Sequence, residues 1–271
     1  MKANGPANLL LLLFAIAIHL DAQHAEANRK LFEETKAQAE KGDALAQYNL
    51  GILLDNGRGV TKDKGEAVKW YRKAADQGFA RAQASLGLSY YLGDGVIKDE
   101  IEAVKWFRKS AEQGCAEAQC NLGYCYNRGD GVTKDEAEGV RWYRKAAEQG
   151  MSAAQSNLGA CYAQGIGVAK DAAEAVKWLQ MAADQGFAEA QSNLGICYDN
   201  GEGVRKDTVE AVRWYRKAAE QGDAVAQAAV GARYVLGNGV PKDYAEGYKW
   251  INLASAQGFE PARRSLAPWN S

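Results

Sequence analysis

The feature that most constrains this chain is a tryptophan that recurs every 36 residues. The six copies are Trp70, Trp106, Trp142, Trp178, Trp214 and Trp250. In the first copy the surrounding string is "TKDKGEAVKWYRKAADQG", residues 61–78, and a Gln-Gly pair closes each later copy at the same distance. A fixed period of roughly 20–50 residues is typical of a solenoid or another repeat array. The chain is therefore expected to be built from one module used six times.

Each module is predicted to contain two helices, and the tryptophan belongs to the second. Asp63 is followed three residues later by Glu66, the spacing of a capping box, and the pair recurs in every copy. Apolar residues at Ala67, Trp70 and Ala74 follow the period of an α-helix. The closing glycine favours a left-handed turn after the helix. Because one such helix cannot bury a tryptophan alone, neighbouring modules are expected to cover it.

The first helix, roughly residues 44–56, contains a glycine at a fixed position in every copy. The six are Gly51, Gly87, Gly123, Gly159, Gly195 and Gly231. Glycine inside a helix costs about 1 kcal/mol relative to alanine. Its recurrence predicts a close approach of the second helix, with Ala67 and Ala74 opposite. The connection "DNGRGVTKD" is predicted to be a turn, since the Gly-Lys-Ser/Thr of a phosphate-binding loop is missing.

The charged residues of the second helix have a structural interpretation. Glu66 and Lys69, three apart, and Arg72 and Asp76, four apart, recur as pairs in most copies. Opposite charges at these spacings are neighbours on a helix surface. We expect solvent-exposed ion pairs and no acid–base chemistry.

The repeated pattern is A-x-A-Q-x-x-L-G-x-x-Y-x-x-G-x-G-V-x-K-D-x-x-x-A-V-x-W-Y-R-K-A-A-E-Q-G, and over residues 43–258 it resembles the Sel-one-like repeat (SLR) family, which is related to tetratricopeptide repeats. The resemblance implies an all-α fold, a right-handed α-solenoid (superhelix) of antiparallel helix pairs with 36-residue repeats. The expected units are 43–78, 79–114, 115–150, 151–186, 187–222 and 223–258. Residues 28–42 are predicted to form an N-terminal capping helix and residues 259–271 a C-terminal cap, because terminal repeats need a polar outer face.

Residues 1–27 have the pattern of a secretory signal peptide. A lysine precedes a 12-residue apolar run, Leu9 to Leu20, which is shorter than the ~20 residues that span a bilayer. Cleavage is expected after Ala22 or Ala27, with an uncleaved anchor as the alternative. The prediction is an exported protein, periplasmic or secreted, with no membrane span after cleavage.

Composition and motifs exclude several classes of function. The 33 basic and 34 acidic residues give no excess of positive charge, which argues against a nucleic-acid partner. The chain's two histidines, His19 and His24, both precede the cleavage site after Ala27. Without them, Ser-His or Cys-His catalysis and histidine zinc sites are excluded. We expect no catalytic residue, metal or cofactor.

One enzymatic alternative comes from the family resemblance. Some SLR proteins of a cysteine-rich branch are β-lactam-binding or hydrolysing proteins. No serine here has a lysine three positions later, so the serine β-lactamase motif is missing.

Three of the five cysteines are interpreted as small core residues. Cys125, Cys161 and Cys197 occupy one repeat position, on helices expected to lie ~8–10 Å apart. A disulfide needs α-carbons ~4.4–6.8 Å apart, so these cysteines are not expected to pair.

The candidate binding residues lie on the first helix, which lines the concave face in tetratricopeptide repeats. They are Tyr48, Asn49, Tyr91, Asn121, Tyr124, Asn127, Arg128, Asn157, Asn193, Asp199 and Asn200. A row of asparagines at one repeat position can donate to and accept from the backbone of an extended peptide. The alternative is that the asparagines cap or bridge adjacent repeats. The predicted function is a non-catalytic scaffold for a protein, peptide or cell-wall-derived ligand, and a purely structural spacer is a further possibility.

Overall fold

The structure, a computed structural model, describes residues 6–266, with side chains from 23 to 264. Its elements, numbered in chain order, are α1 Pro6–Glu40, α2 Ala44–Asn56, α3 Lys64–Asp76, α4 Ala80–Leu92, α5 Glu100–Glu112, α6 Ala116–Arg128, α7 Glu136–Glu148, α8 Ser152–Gln164, α9 Ala172–Asp184, α10 Ala188–Asn200, α11 Thr208–Glu220, α12 Ala224–Leu236, α13 Tyr244–Ala256 and α14 Glu260–Leu266. Every element in this part of the chain is a helix, and α2 to α13 repeat with a period of 36 residues. The predicted all-α repeat fold is confirmed.

The two ends of the chain carry predictions that the structure describes only in part. α1 runs without interruption through both candidate cleavage sites, Ala22 and Ala27. Residues 1–5 of the predicted signal peptide and 267–271 of the predicted C-terminal cap lie outside the described residues. No helix in the described part of the chain has both the length and the apolar character needed to cross a membrane.

The chain divides into two compact units, Met1–Ala118 and Gln119–Ser271. In the first unit, α2 packs against α3 and α4 against α5. In the second unit the same pairing joins α8 to α9, α10 to α11 and α12 to α13. Five of the six repeat tryptophans are buried, with exposed fractions of 5–9%, and Trp178 is half-buried. The expected burial of the tryptophan ring by packing is therefore observed.

The start of each second helix confirms half of the predicted capping box. Asp63 Oδ1 accepts from the amide of Glu66 at 2.9 Å, and the five other copies do the same. The glutamate does not return to the aspartate amide, because that amide donates to the carbonyl of Leu54 at 2.9 Å. In two copies the glutamate instead accepts from the tryptophan indole, as in Trp106 Nε1 to Glu102 at 2.9 Å.

The glycine of the first helix is required by the side chain opposite. A Cβ on Gly87 would lie 2.7 Å from Phe107 Cδ1 and 3.2 Å from the carbonyl oxygen of Ala103. The other five helical glycines face Tyr71, Tyr143, Leu179, Tyr215 and Ile251 in the same way. The predicted close approach of the two helices is confirmed, but the side chain opposite the glycine is the one at the Tyr71 position, not Ala67 or Ala74 as expected.

A buried glutamine joins three helices in the fourth repeat, and Gln47, Gln83, Gln191 and Gln227 do the same in theirs. Gln155, 1% exposed, donates from Nε2 to the carbonyl of Ala147 on the preceding second helix at 3.1 Å. Its Oε1 accepts from Gln185 Nε2, at the end of the next second helix, at 2.8 Å. The same pairing links Gln47 with Gln77, Gln83 with Gln113, Gln119 with Gln149, Gln191 with Gln221 and Gln227 with Gln257. Within each unit, the bond to the preceding helix thus ties neighbouring repeats together, since buried polar groups are stable only when paired.

Of the two kinds of ion pair predicted on the second helix, the one with a spacing of three residues forms and the one with a spacing of four does not form at Arg72. All six pairs three residues apart form ion pairs, as in Lys69 with Glu66 at 2.8 Å. The predicted pair of Arg72 with Asp76 is wrong, because Arg72 donates to Tyr90 Oη on the next first helix. The Arg72 guanidinium also makes two cation–π contacts, 5.5 Å from the Tyr90 ring centroid and 6.0 Å from that of Trp106, and these favour the position near Tyr90.

Candidate binding face

The outward side of each first helix is called here the first-helix face. It consists of Tyr48, Asn49, Ile52, Asp55 and Asn56 of α2 and their counterparts at 36-residue intervals. The opposite side of α2 is buried against α3. Of the predicted binding residues, the exposed ones are Asn49, Tyr124, Arg128 and Asn200, and the half-buried ones are Tyr48, Tyr91, Asn121, Asn127, Asn157, Asn193 and Asp199. All of them therefore retain some access to solvent.

In the first unit, the predicted residues differ in their freedom to bind. The Tyr48 ring packs 5.9 Å from Tyr71 and 5.3 Å from Phe79, so much of its surface is engaged within the repeat. Asn49 is exposed and lines a groove of about 700 Å³ between α1 and α2, together with Leu31. Asn49 is thus the more accessible of the two polar groups.

In the second unit, α6 presents an aromatic and charged cluster. Tyr124 is 40% exposed, and the Arg128 guanidinium lies 5.4 Å from its ring centroid. Arg128 Nε also contacts Asp130 Oδ2 at 3.0 Å. The cluster combines a flat apolar surface with a fixed cation, a combination that favours contact with polypeptide side chains.

The asparagine row does not behave uniformly. Asn157 Nδ2 donates to Cys120 Sγ on the preceding first helix at 3.8 Å, which is a bridge between repeats. Asn127, at another position of the face, donates to Cys161 Sγ on the following first helix at 3.6 Å. Asn193 makes no such bond among the described residues. Both roles considered for these side chains, bridging repeats and binding a ligand, thus remain predictions for the row as a whole.

The acidic residue Asp199 is neutralised within the array. It forms an ion pair with Arg233 of the next repeat, and the two side chains are only 18% and 17% exposed. Asn200 beside it donates to Glu202 Oε1 at 3.3 Å. Asp199 therefore contributes to repeat packing as well as to the face.

The first-helix face changes in character along the second unit. At the position where α6 has Tyr124, α8 has the small residue Ala160. On α12 the face is aliphatic: it ends with Val235 and Leu236, and Leu236 is 70% exposed. A ligand lying along these helices would meet an aromatic and cationic part, a small-residue part and an aliphatic part.

The three cysteines predicted to be core residues lie in the core, and Cys115 is only half-buried. All five are free thiols, and Cys120, Cys125, Cys161 and Cys197 are buried. Burial raises the pKa of Cys120 to about 11, and it also raises the pKa of the Cys161 and Cys197 thiols. A thiol that stays protonated is a poor nucleophile and a poor metal ligand. Within the described residues, no group of histidine, cysteine and carboxylate side chains is placed to hold a metal ion.

Sequence reasoning missed two sets of polar residues that connect repeats. The glutamine bridge and the arginine–tyrosine contact both use residues at fixed repeat positions, in the "A-x-A-Q", "E-Q-G" and "W-Y-R-K" parts of the pattern. Their recurrence at fixed repeat positions was the sequence signal that could have identified them as contacts between helices. An exposed, variable residue is a better binding candidate than these, because recurrence at every repeat is typical of a packing role.

The family comparison identifies six consecutive copies of one repeat. The model of the Sel1 repeat matches residues 44–79, 80–115, 116–151, 152–187, 188–223 and 224–259. Neither the described residues nor the comparisons point to the β-lactam alternative. Among curated proteins, none matches the chain.

Solved structures of similar fold come from several bacteria. A protective antigen present in uropathogenic Escherichia coli strains, which displays an SLR fold, is 40% identical with a TM-score of 0.77; the match covers 85% of this chain and 50% of the antigen. A Sel1 repeat protein from Oxalobacter formigenes is 38% identical with a TM-score of 0.76, over 89% of this chain and 95% of that protein. A sel1 repeat protein from Klebsiella pneumoniae subsp. pneumoniae, 23% identical with a TM-score of 0.52 over 75% of this chain and 99% of that one, shares the fold. This chain spans half the length of the antigen. Six consecutive matches and two relatives above 35% identity show that the chain belongs to the Sel1 repeat family.

Proposed function

We propose that this protein is an exported scaffold that binds a protein or peptide on its first-helix face. Sel1 repeat proteins commonly bind proteins, and this chain has their repeat architecture. The proposal adds two points to this family property: the partner binds on the first-helix face, and the protein is exported.

The observation that carries the proposal is a contrast between constant and variable positions. The glycine of the first helix and the bridging glutamine are identical in all six repeats. At the position directly after the glycine, Ile52 is replaced by Leu88, Tyr124, Ala160, Ile196 and Ala232 in the other copies; four of these six residues are exposed, and Ile52 and Ala160 are half-buried. Packing explains the constant positions, whereas an exposed position that varies in size and chemistry along an array is suited to recognising one particular ligand.

The chemistry of the face suits an extended polypeptide. A half-buried amide such as that of Asn193 offers one carbonyl oxygen and two donors, which match the amide groups of a peptide backbone. The flanking groups, Tyr124 with Arg128 on one side and Leu236 on the other, supply side-chain selectivity. Enzymatic chemistry is not part of the proposal.

Export is proposed from the N-terminal sequence. The apolar run Leu9 to Leu20 and the small residues that follow it match a cleavable signal. N-terminal sequencing of the protein from the non-cytosolic fraction tests this. A mature chain beginning at Gln23 or Asn28 supports export, and a full-length chain confined to the cytosol contradicts it.

Binding is tested with one variant of the face and one matched control. The partner is first identified by a crosslinking pull-down from the fraction that holds the native protein. Asn193→Ala is then compared with Lys177→Ala, a substitution of an exposed residue on the second helix α9. We expect Asn193→Ala to weaken the partner about tenfold with an unchanged melting temperature, and Lys177→Ala to leave the affinity unchanged.

The same experiment distinguishes the alternative role of the asparagines. Asn157→Ala removes the contact with Cys120, so it is expected to lower the melting temperature. If Asn193→Ala also lowers the melting temperature and does not weaken the partner, the asparagine row holds repeats together and the proposal is wrong.

A further inference from the structure

Polar links between neighbouring repeats of the second unit are unevenly distributed. Between the third repeat, residues 116–151, and the fourth, 152–187, Arg144 Nη2 donates to Tyr162 Oη at 2.5 Å. The guanidinium also lies 5.9 Å from the ring centroid of Tyr162. On the first-helix side, Asn127 donates to Cys161. This junction is thus linked on both helix layers.

The junction between the fifth repeat, residues 188–223, and the sixth, 224–259, is linked in the same way. Arg216 donates to Tyr234 Oη, with the guanidinium 5.5 Å from the ring centroid. On the first-helix side Asp199 pairs with Arg233. Ser192 Oγ adds a hydrogen bond to Asp223 Oδ1 at 3.2 Å.

The junction between the fourth and fifth repeats lacks the counterpart of each link. Gln180 stands where the others have arginine, and it donates to Asp184 of its own helix at 2.8 Å. Tyr198 consequently has no hydrogen bond or cation–π contact among the described residues. The position of Asn127 and Asp199 is occupied by Ala163, which cannot form a polar link.

A buried hydroxyl at this junction is also left unpaired. Ser156 is 1% exposed, and its Oγ has no hydrogen-bond partner within the described residues. Its counterparts are both hydrogen-bonded, Cys120 to Asn157 of the next repeat and Ser192 to Asp223, the residue that caps α12. An unpaired buried hydroxyl favours states in which water reaches it. What remains here is the hydrogen bond of Gln191 to the carbonyl of Ala183, 3.1 Å, and apolar packing.

We propose that the junction between the fourth and fifth repeats is a hinge at which the second unit opens reversibly. In a repeat array each repeat contacts only its neighbours, so the interface with the fewest links opens first. Opening separates α8 from α10, which carry Asn157 and Asn193, and changes their spacing. The argument uses only contacts within the array, so it stands whether or not the first-helix face binds a polypeptide.

Two buried cysteines report on the two neighbouring junctions. Cys161 and Cys197 occupy the same repeat position and are 4% and 7% exposed. Cys161 faces the third repeat across the linked junction, as its contact with Asn127 shows. By the same register Cys197 faces Ala163 across the hinge. Opening of the hinge therefore exposes Cys197 and leaves Cys161 covered.

The test is alkylation of the native full chain, followed by mass spectrometry of the cysteine peptides. Each rate is divided by the rate of the same cysteine in the urea-unfolded chain. We expect Cys197 to react about tenfold faster than Cys161, the ratio produced by one missing charged hydrogen bond of ~1.4 kcal/mol. Gln180→Arg restores the contact with Tyr198 and is expected to slow Cys197 about tenfold without changing Cys161.

A reciprocal variant at the linked junction shows whether the change in labelling rate is specific to the substituted junction. Arg144→Gln copies the hinge sequence into the linked junction, so it is expected to accelerate Cys161 about tenfold and leave Cys197 unchanged. Melting temperatures of both variants show whether the fold is retained. Equal rates at the two cysteines, or rates that respond to neither substitution, would mean that labelling proceeds through global unfolding and would overturn the hinge.

Discussion

The glycine of the first helix provides a sharp test of how the two helices of a repeat pack. Gly87→Ala places a methyl group 2.7 Å from Phe107 Cδ1 and 3.2 Å from the carbonyl oxygen of Ala103. Carbon atoms in contact are normally ~3.5–4.0 Å apart, so the ring must move by about 1 Å. Phe107 is 1% exposed, and the backbone carbonyl cannot move without bending α5.

Two opposing effects set the magnitude. Overpacking of a filled core destabilises by about 1–3 kcal/mol. Replacing a helical glycine by alanine stabilises by about 1 kcal/mol. The net expectation for Gly87→Ala is a loss of about 1 kcal/mol in the free energy of unfolding.

A second helical glycine in the same unit is the matched control. A Cβ on Gly65 would meet its nearest atom, Asp63 Oδ1, at 3.5 Å, which is an ordinary contact. Gly65→Ala is therefore expected to gain up to about 1 kcal/mol. A difference of about 2 kcal/mol between the variants corresponds to melting temperatures about 4–8 °C apart.

The assay is thermal and urea unfolding of both variants and of the double variant Gly87→Ala with Phe107→Leu. The smaller side chain is expected to recover part of the loss, because residues in contact are energetically coupled. If Gly87→Ala is as stable as Gly65→Ala, the glycine does not serve the close approach of the helices and the packing argument fails.

Two further predictions concern polar groups of the core. Gln155→Met removes both hydrogen bonds of the glutamine bridge but keeps the volume, so we expect urea unfolding to show a loss of about 1–2 kcal/mol; Gln185→Ala, which removes only the more exposed partner, is expected to cost about half as much, and equal effects would contradict the bridge. Alkaline pH is expected to destabilise the fold: burial raises the pKa of Cys120 to about 11 and also raises the pKa of the buried tyrosines of the second helices, so the unfolded chain ionises first. Stability is then fully present below the unfolded values of 9.0 for cysteine and 10.0 for tyrosine and declines as the pH rises towards the folded values; a urea midpoint that stays constant from about pH 8 to pH 11 would contradict this.

The architecture could be predicted because its determinants are local and repeated. Asp63 caps a helix through residues within one turn, and Gly51 reports a single close neighbour. Each signal was present six times, which separated it from chance. The all-helical fold and the 36-residue period followed from these patterns.

The links between repeats were harder to predict. Arg72 has two candidate partners, Asp76 on its own helix and Tyr90 eighteen residues away, and only the geometry shows that the tyrosine is chosen. Likewise Gln155 is a polar residue that the pattern alone would place at the surface, yet it is 1% exposed. Sequence spacing describes neighbours on one helix, whereas these contacts depend on how two helices cross.

The candidate binding residues could be predicted in part: their position on the helix followed from the sequence, but their contacts did not. Periodicity placed them on the outward side of the first helix, where the structure finds each of them exposed or half-buried. It could not show that Asn157 contacts Cys120 or that Asp199 is paired with Arg233, because both contacts cross a repeat boundary. Residues without such contacts, Asn193 and Asn49, are consequently the sharper positions for experiments on binding.

Site-specific photocrosslinking tests the central claim, ligand binding on the first-helix face, most directly. A photoreactive residue is placed at position 193 on the first-helix face of the full chain, and in a second sample at position 177 on the outer surface of α9. Both samples are irradiated in the native fraction that contains the partner. The account predicts a discrete polypeptide adduct from position 193 and none from position 177. Adducts from position 177 alone would place the partner on the second helices and contradict the account.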